Sequence, residues 1–291
     1  MTPLRQQMMT ALELSGKSQR TQQSYVREVH LLSKFYNKSP HLISEAELRR
    51  YLLHRKNKDR LAPSSMRICY SGIRFFYRSV IERHWKLLDL IRAQAEQRLP
   101  AILSVQEVRQ LLSMATPLHN RVYFTTVYHL GLRLQEGLFL QVSDIDGQRL
   151  MVHVHRGKGA KDRYVPLPCD TLALLRHYWT THRHPIWLFP ATGRDQKQRA
   201  SAPEPMSRSS VQGAFRKAKQ RAGIIKHDVG IHTLRHCYAT HLLEAGVNLR
   251  AIQRYMGHSR LETTMTYLHL TQKGQEDAVE RINSVMRGVE P

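Results

Sequence analysis

Apolar residues recur at helical spacing along most of the 291-residue chain, whereas a strand pattern is confined to one region of its second half. Between Thr21 and Tyr36 the apolar side chains fall every three or four residues, which predicts an amphipathic helix. Ser44 and Glu47 form a capping-box pattern before a second such run, and a third run follows Pro63. Because the first hundred residues show no alternating pattern, we predict a small all-helical domain there.

The strand pattern lies between residues 150 and 167. Leu150, Val152 and Val154 alternate with Met151, His153 and His155, a glycine-rich turn follows, and residues 163–167 form the expected return strand. Residues 193–205 are expected to form an exposed polar loop. The predicted fold is therefore mainly α with a small antiparallel β-sheet. We expect a helical domain over residues 1–92, a polar linker over 93–103 and a mixed α+β domain over 104–291.

The charge of the chain points to a polyanionic partner. Lys and Arg number 45 against 23 Asp and Glu, which gives a net charge of +22. Self-repulsion of this size disfavours the compact state unless an anion offsets it. The basic residues are spread along the chain without a terminal basic tail or an amphipathic lipid anchor, which favours nucleic acid over an anionic membrane or an acidic protein. No apolar stretch is long enough to predict a membrane-spanning helix, so we expect no membrane partner.

The cysteines indicate a reduced, cytoplasmic chain. There are three, at Cys69, Cys169 and Cys237, without the close spacing of a disulfide framework or of a cysteine zinc site. His232 and His236 have the spacing of a helical metal pair, but the glutamate of the H-E-x-x-H pattern is absent. We therefore expect no metal ligands and no cofactor.

Five segments of the second half carry residues suited to chemistry on phosphate. They contain an arginine after a glycine break, a lysine in a glycine-rich turn, an H-x-x-R pair, a histidine after a helix-ending glycine, and a tyrosine. In chain order these are Arg133, Lys158, His232, Arg235, His258 and Tyr267. Taken alone, each has an ordinary structural explanation, such as a surface arginine, a solvated turn or a core tyrosine.

Together the six residues fit phosphoryl transfer by a tyrosine nucleophile. Attack on a phosphodiester places negative charge on the non-bridging oxygens, which arginine and histidine side chains can stabilise without a metal. The leaving 5′-oxygen needs a proton, which a lysine can supply, and the tyrosine must lose its own proton to a nearby base.

The ordered set resembles the tyrosine recombinase (phage integrase) superfamily. The segment HTLRHCYATHLLEAGVNLRAIQRYMGHSRLETTMTYLHL is similar to this family over some forty residues, and GLRLQEG and GKGAKDRYVPL extend the likeness upstream. The first hundred residues resemble the family's helical, SAM-like core-binding domain. Gln135 stands where a small residue is usual in the family, which affects packing beside Arg133 but removes no catalytic group.

The resemblance implies a fold, an activity and roles for individual residues. A two-domain clamp would close around duplex DNA, and Tyr267 would form a 3′-phosphotyrosyl link. Arg133, Arg235 and His258 would stabilise the transition state, Lys158 would protonate the 5′-hydroxyl, and His232 would act as base or proton shuttle. Glu136 is expected to orient Arg133. A homo-tetramer on two paired sites in double-stranded DNA would pass through a Holliday junction, with accessory proteins in some systems.

Several alternatives stay open at this stage. Within the family, a mobile-element integrase or transposase is favoured over a Xer-like resolvase of chromosome or plasmid dimers. A type IB topoisomerase shares the chemistry, and a DNA-binding protein without catalysis would account for the charge alone. A metal-dependent nuclease would need clustered carboxylates. Residues 275–291 carry a short apolar stripe that predicts a C-terminal helix, docked on its own domain or on a neighbouring subunit.

Overall fold

The computed structural model describes residues 2–90, 100–155, 162–191, 193, 195–268, 283, 286 and 287. The chain divides into two compact units, Met1–Arg98 and Leu99–Pro291. Within the described residues the structure is mainly helical and contains one three-stranded antiparallel sheet, as the sequence predicts. None of the described helices combines the length and the apolar character that a membrane span requires.

The first unit is a bundle of helices around its own apolar core. Its α-helices are α1 (Pro3–Leu14), α2 (Gln19–Tyr36), α3 (Glu45–Asn57), α4 (Pro63–Ser79) and α5 (Leu87–Leu90). The capping box at Ser44 and Glu47 forms as expected, with Glu47 N donating to Ser44 Oγ and Ser44 N donating to the Glu47 carboxylate. The helix over Thr21–Tyr36 is also confirmed, although it begins two residues earlier.

The second unit begins with three helices and then the sheet. These elements are α6 (Val105–Ser113), α7 (Leu118–His129), α8 (Leu134–Leu138), β1 (Ile145–Asp146), β2 (Met151–Val154) and β3 (Arg163–Pro166). The strands pair in the order β1-β2-β3, with Val152 opposite Val165 and Val154 opposite Arg163. The predicted pair of strands around residues 150–167 is therefore confirmed. The two-residue β1 is too short to show an alternating pattern in the sequence.

Helices complete the second unit. They are α9 (Cys169–Thr180), α10 (Gln196–Ala200), α11 (Arg208–Arg221), α12 (Ile231–Glu244), α13 (Leu249–Met256) and α14 (Glu262–Met265). Helix α12 packs against α7 and α13, and its buried face contains Leu234 and Cys237, which are fully covered. This arrangement fixes the axis of α12, which carries three residues of the candidate site.

Two expectations from the sequence differ from the structure. The segment predicted as an exposed loop, Gly193–Pro205, contains helix α10, and Ala202 within it is buried. Asp195 caps this helix by accepting from Gln198 N, a local signal that the polar composition of the segment obscured. The expected linker includes Leu103, which is instead fully buried in the second unit, where its N–H donates to Cys237 Sγ. The two consecutive apolar residues Ile102 and Leu103 are the sequence signal that this part of the expected linker is buried.

Candidate active site

The ends of several elements bring the candidate residues of the second unit together. Arg133 is the N-cap residue of α8, and His232, Arg235 and His236 lie on α12. His258 follows the C-cap of α13, and Tyr267 follows α14. Residues three and four apart share a helix face, which places the three α12 side chains on one side of that helix. Lys158 lies outside the described residues.

A left-handed glycine orients the turn before Arg133. Gly131 has a φ of +58°, and its carbonyl oxygen accepts a 2.5 Å hydrogen bond from Arg235 Nη1. A Cβ atom at this position would lie 2.4 Å from Tyr238 Cδ1. Glycine is therefore required for two reasons, the backbone conformation and the close approach of the Tyr238 ring.

Glu136 is the anion around which three arginines gather. Its carboxylate accepts a bidentate pair of hydrogen bonds from Arg163, at 2.9 and 2.7 Å, and a 2.6 Å bond from Arg133 Nη1. Arg235 Nη1 lies 3.7 Å from the same carboxylate. Burial by itself raises the pKa of Glu136, but the hydrogen bonds and charges of Arg163 and Arg133 outweigh it and lower the pKa to about 2. Three guanidinium groups against one carboxylate leave the cluster with excess positive charge.

The C-terminus of α13 holds the same three arginines. Arg163 Nε donates to Tyr255 O at 2.7 Å, Arg235 Nη2 donates to Met256 O, and Arg133 Nη2 lies 3.5 Å from Gly257 O. The last carbonyls of a helix have no partner within the helix and carry the negative end of its dipole, so cations stabilise them. Glu136 and these carbonyls together fix the directions of all three guanidinium groups.

Arg133 and Arg235 differ in their access to solvent. The Arg235 side chain is 4% exposed and the Arg133 side chain 23% exposed. Burial and the charge of Arg133 lower the pKa of Arg235 to about 9, so this guanidinium is still protonated at neutral pH. Arg133 and His232 line an open cleft of about 950 Å³ together with Arg208. An anion entering this cleft meets positive charge that is already oriented.

Tyr267 is buried between two histidines. Its hydroxyl oxygen lies 2.9 Å from Nδ1 of His236, with which it shares a hydrogen bond. The His258 ring lies nearly parallel to the tyrosine ring, with centroids 6.3 Å apart, and Nδ1 of His258 is bonded to Thr264 Oγ1 at 2.9 Å. Burial raises the pKa of Tyr267, although the charges of Arg235 and Arg133 act in the opposite direction.

The two histidines beside Tyr267, His236 and His258, are neutral at physiological pH. Burial, followed by the positive charges of neighbouring residues, lowers the pKa of His236 to about 4 and that of His258 to about 3. The pKa of His232 is lowered too, by desolvation and by Arg235 and Arg133. A neutral imidazole can either accept a proton or donate a hydrogen bond, so each ring can take part in proton transfer.

Both units match known families. Residues 101–273 match the phage integrase family, and residues 4–87 match the phage integrase N-terminal SAM-like domain. The chain belongs to the phage integrase family. Its second unit is the part that carries the arginine cluster and Tyr267, and its first unit corresponds to the SAM-like domain.

Known integrases and recombinases are similar to this chain over nearly its whole length. The putative integrase/recombinase y4qK of Sinorhizobium fredii is 39% identical over 271 residues, which span 93% of this chain and 85% of the relative. Tyrosine recombinase XerA of Thermococcus onnurineus is 32% identical over 277 residues, 92% of this chain and 93% of XerA. The crystal structure of a lambda integrase tetramer bound to a Holliday junction has the same fold, with a TM-score of 0.74 at 18% identity, covering 91% of this chain and 76% of that one. The protein is thus a tyrosine site-specific recombinase.

Two residues of this recombinase were missed by sequence reasoning. The sequence pattern predicts only that Arg163 begins the return strand, yet its side chain is buried and binds Glu136. Its place in the strand, two residues before the buried Val165, puts it on the inward face, which is an unusual position for an arginine. His236 was noted only as a partner of His232, and it is His236 that contacts Tyr267. Its spacing of one residue from Arg235 and four from His232 gave no indication of that contact.

We expect Gly131→Ala to destabilise the recombinase by about 3 kcal/mol, because the new methyl group meets the Tyr238 ring and the left-handed conformation is strained. Gly223→Ala is the matched control, since Gly223 has a φ of +64° but a Cβ added there would have no neighbouring atom within 4 Å. Urea unfolding of both variants measures the difference. Equal losses would show that the close approach of Tyr238 has no energetic consequence.

The lowered pKa of His236 predicts a pH-dependent stability. The unfolded chain binds a proton at this residue below about pH 6.5, whereas the folded chain does so only near pH 4. The contribution of neutral His236 to the free energy of unfolding is therefore fully present above pH 6.5. It is lost as the pH drops toward 4, by about 3 kcal/mol. Urea unfolding should show a smaller loss between pH 7 and 4 for His236→Gln than for wild type or the exposed-site control His177→Gln. Parallel profiles for all three would contradict the assignment.

Proposed function

We propose that Tyr267 attacks the scissile phosphate of duplex DNA through its hydroxyl oxygen. The new bond joins this oxygen to phosphorus, the bond to the 5′-oxygen breaks, and a 3′-phosphotyrosyl link and a free 5′-hydroxyl result. A 5′-hydroxyl of a partner strand then reverses the step. Since one phosphodiester is exchanged for another, the reaction needs neither ATP nor a redox partner, and no metal is assigned a role in it.

The observation that carries this proposal is the position of Tyr267 beside the arginine cluster. The charges of Arg235 and Arg133 act on its hydroxyl, and both guanidinium groups lie against Glu136 and the carbonyls at the C-terminus of α13. Preorganised donors of this kind stabilise the charge that develops on the non-bridging oxygens. Glu136 and Arg163 act as positioning residues, since Glu136 binds Arg133 and Arg163, and Arg163 also binds the carbonyl of Tyr255.

Proton transfer is divided among the remaining side chains. The 2.9 Å contact favours His236 as the acceptor of the Tyr267 proton, a role that sequence reasoning gave to His232. His232 lines the cleft and is left to hydrogen-bond the phosphate or to relay a proton. Nδ1 of His258 is hydrogen-bonded to Thr264 Oγ1, so the Nε2 atom of that ring is available to donate a hydrogen bond to a phosphate oxygen. Lys158 protonates the departing 5′-oxygen.

The biological role we propose is that of a mobile-element integrase. The protein would act in the cytoplasm as a homo-tetramer on two paired DNA sites, through a Holliday junction, with accessory proteins where the sites require them. The likeness to the integrase/recombinase y4qK supports this role. The likeness to XerA supports the alternative, a Xer-like resolvase of chromosome or plasmid dimers.

A two-plasmid assay distinguishes these roles. One plasmid carries DNA flanking the gene, and a second carries either the same DNA or a library of chromosomal fragments. Joining of unlike sites supports an integrase, whereas resolution of directly repeated identical sites, without joining of unlike ones, supports the resolvase. Absence of both products, with covalent cleavage intact, would remove the recombination proposal while leaving the cleavage chemistry.

The C-terminal helix proposed for residues 275–291 falls mostly outside the described residues. If this segment docks on a neighbouring subunit, its deletion should weaken DNA-dependent assembly more than binding to a single half-site. Gel-shift titrations with one-site and two-site duplexes measure both quantities. Equal loss of assembly and single-site binding would favour docking on the same subunit.

A further inference from the structure

Two histidines lie on the outer side of β2, His153 within the strand and His155 directly after its last residue. His153 and His155 are alternate residues, so their side chains lie on the same side of the strand, whereas Val152 and Val154 are buried on the other. The two imidazole centroids are 4.0 Å apart. From the sequence we expect a strand here and no metal ligands, so this cluster differs from that expectation.

Two carboxylates complete this cluster. Asp162, which precedes β3, places Oδ2 3.2 Å from His153 Nε2 and 3.7 Å from His155 Nδ1. Asp144 Oδ1 lies 2.5 Å from the other nitrogen of His155, Nε2, and the Asp144 side chain is only 3% exposed. Ligand atoms of Asp144, His153 and His155 all lie within 4.8 Å of one another.

The distances suit a small divalent ion. Zinc binds histidine nitrogen and carboxylate oxygen at about 2.0–2.2 Å, so neighbouring ligand atoms of a tetrahedral site are roughly 3.3 Å apart. The separations of Asp162 Oδ2 from His153 Nε2 and His155 Nδ1 lie close to this value. Imidazole nitrogens favour transition metals over Mg²⁺ or Ca²⁺, which prefer oxygen ligands.

The surroundings hold the candidate ligands in place. Gln141 N donates to Asp144 Oδ2 at 2.8 Å, which fixes that carboxylate and directs Oδ1 at His155. A carboxylate on the far nitrogen of a histidine orients the ring and raises its basicity toward a metal. The ring of His153 stacks on Tyr164, with centroids 4.7 Å apart and planes 14° apart. A dication also offsets the charges of the two neighbouring carboxylates, Asp144 and Asp162.

We propose that His153, His155 and Asp162 bind a divalent transition-metal ion such as Zn²⁺, with Asp144 as the carboxylate that positions His155. The site lies at the rim of the cleft, since Asp144 and His155 line it with Arg133. The ion joins the end of β2 to the start of β3, the two points between which the segment containing Lys158 runs in the chain. Its role is structural, and the cleavage chemistry at Tyr267 does not use it.

Cobalt(II) is the probe that tests this proposal, with the full-length protein freed of metal by chelation. Wild type should bind one equivalent of Co²⁺ with visible d–d absorption, and this absorption should disappear when Zn²⁺ replaces the Co²⁺. Saturating Zn²⁺ should also raise the melting temperature. The variant His153→Ala/His155→Ala should lose the absorption and the thermal shift, whereas His177→Ala/His227→Ala, two exposed histidines of the same unit, should keep both.

A second variant separates metal binding from folding. Asp144→Asn should weaken Co²⁺ affinity by about tenfold, and circular dichroism establishes whether each variant is folded. If wild type binds Co²⁺ no better than His153→Ala/His155→Ala, or if His153→Gln in folded form keeps full affinity, the cluster is a set of hydrogen bonds and ion pairs only. Because this readout requires no DNA, it succeeds or fails independently of DNA cleavage, which is assayed in EDTA.

Discussion

Tyr267→Phe is expected to abolish the covalent protein–DNA complex, with a fall in cleavage rate of more than about 10³-fold. The phenylalanine ring fills the same space in the cluster of Tyr238, Ala239, Ile252 and Met256, but it has no oxygen to attack phosphorus. DNA affinity should stay within about twofold of wild type, because basic residues outside this position supply most of it. A denaturing gel with nicked suicide duplexes measures cleavage, and a native gel measures binding.

Tyr238→Phe is the matched control for this experiment. Tyr238 belongs to the same buried cluster, and its loss of a hydroxyl removes no proposed nucleophile. We expect cleavage by this variant to remain within about tenfold of wild type, since only local packing and polarity change. A covalent band that persists in Tyr267→Phe would mean that another residue attacks the phosphate.

Glu136→Gln is expected to lower stability by about 3–5 kcal/mol, because it removes the carboxylate that Arg133, Arg163 and Arg235 surround. The amide replaces one acceptor oxygen with a donor that faces the guanidinium groups. Cleavage should fall with stability, since Arg133 and Arg235 lose the partner that fixes their directions. Urea unfolding and single-turnover cleavage of the folded fraction measure the two effects separately.

Glu204→Gln provides the comparison for Glu136→Gln. Glu204 is an exposed carboxylate of the same unit, and its neutralisation should change stability by less than about 0.5 kcal/mol. Arg163→Lys keeps the charge beside Glu136 but loses the bidentate geometry, so it should show an intermediate loss. Stability of Glu136→Gln equal to that of Glu204→Gln would show that the arginine cluster is not organised by its carboxylate.

The sequence predicts the helices and the strand pair because their signals are local. The capping box at Ser44, the apolar spacing of Thr21–Tyr36 and the alternation around Val152 each depend on a few neighbouring residues. Helix α10 was missed because a polar helix of five residues has no apolar face to reveal it. The position of α10 depends on the burial of Ala202 and on an isolated β-bridge between Pro190 and Pro205, and both are tertiary contacts.

The candidate site was predicted as a set of residues, but not as a set of contacts. The order of Arg133, Arg235, His258 and Tyr267 is visible in the chain, because motif resemblance depends on sequence alone. The bond between His236 and Tyr267 spans 31 positions, and that between Arg163 and Tyr255 spans 92. Separations of this size are closed only by the packing of α12, α13 and β3, which no local pattern encodes.

The most direct test of the central claim is to identify the amino acid joined to DNA. The full-length protein is incubated in EDTA with suicide duplexes from DNA flanking its gene, the covalent complex is digested, and the nucleotide-bearing peptide is sequenced by mass spectrometry. We expect a phosphodiester on Tyr267, formed without a metal, and no such peptide from Tyr267→Phe. A nucleotide on any other residue, or cleavage that requires a divalent metal, would contradict it.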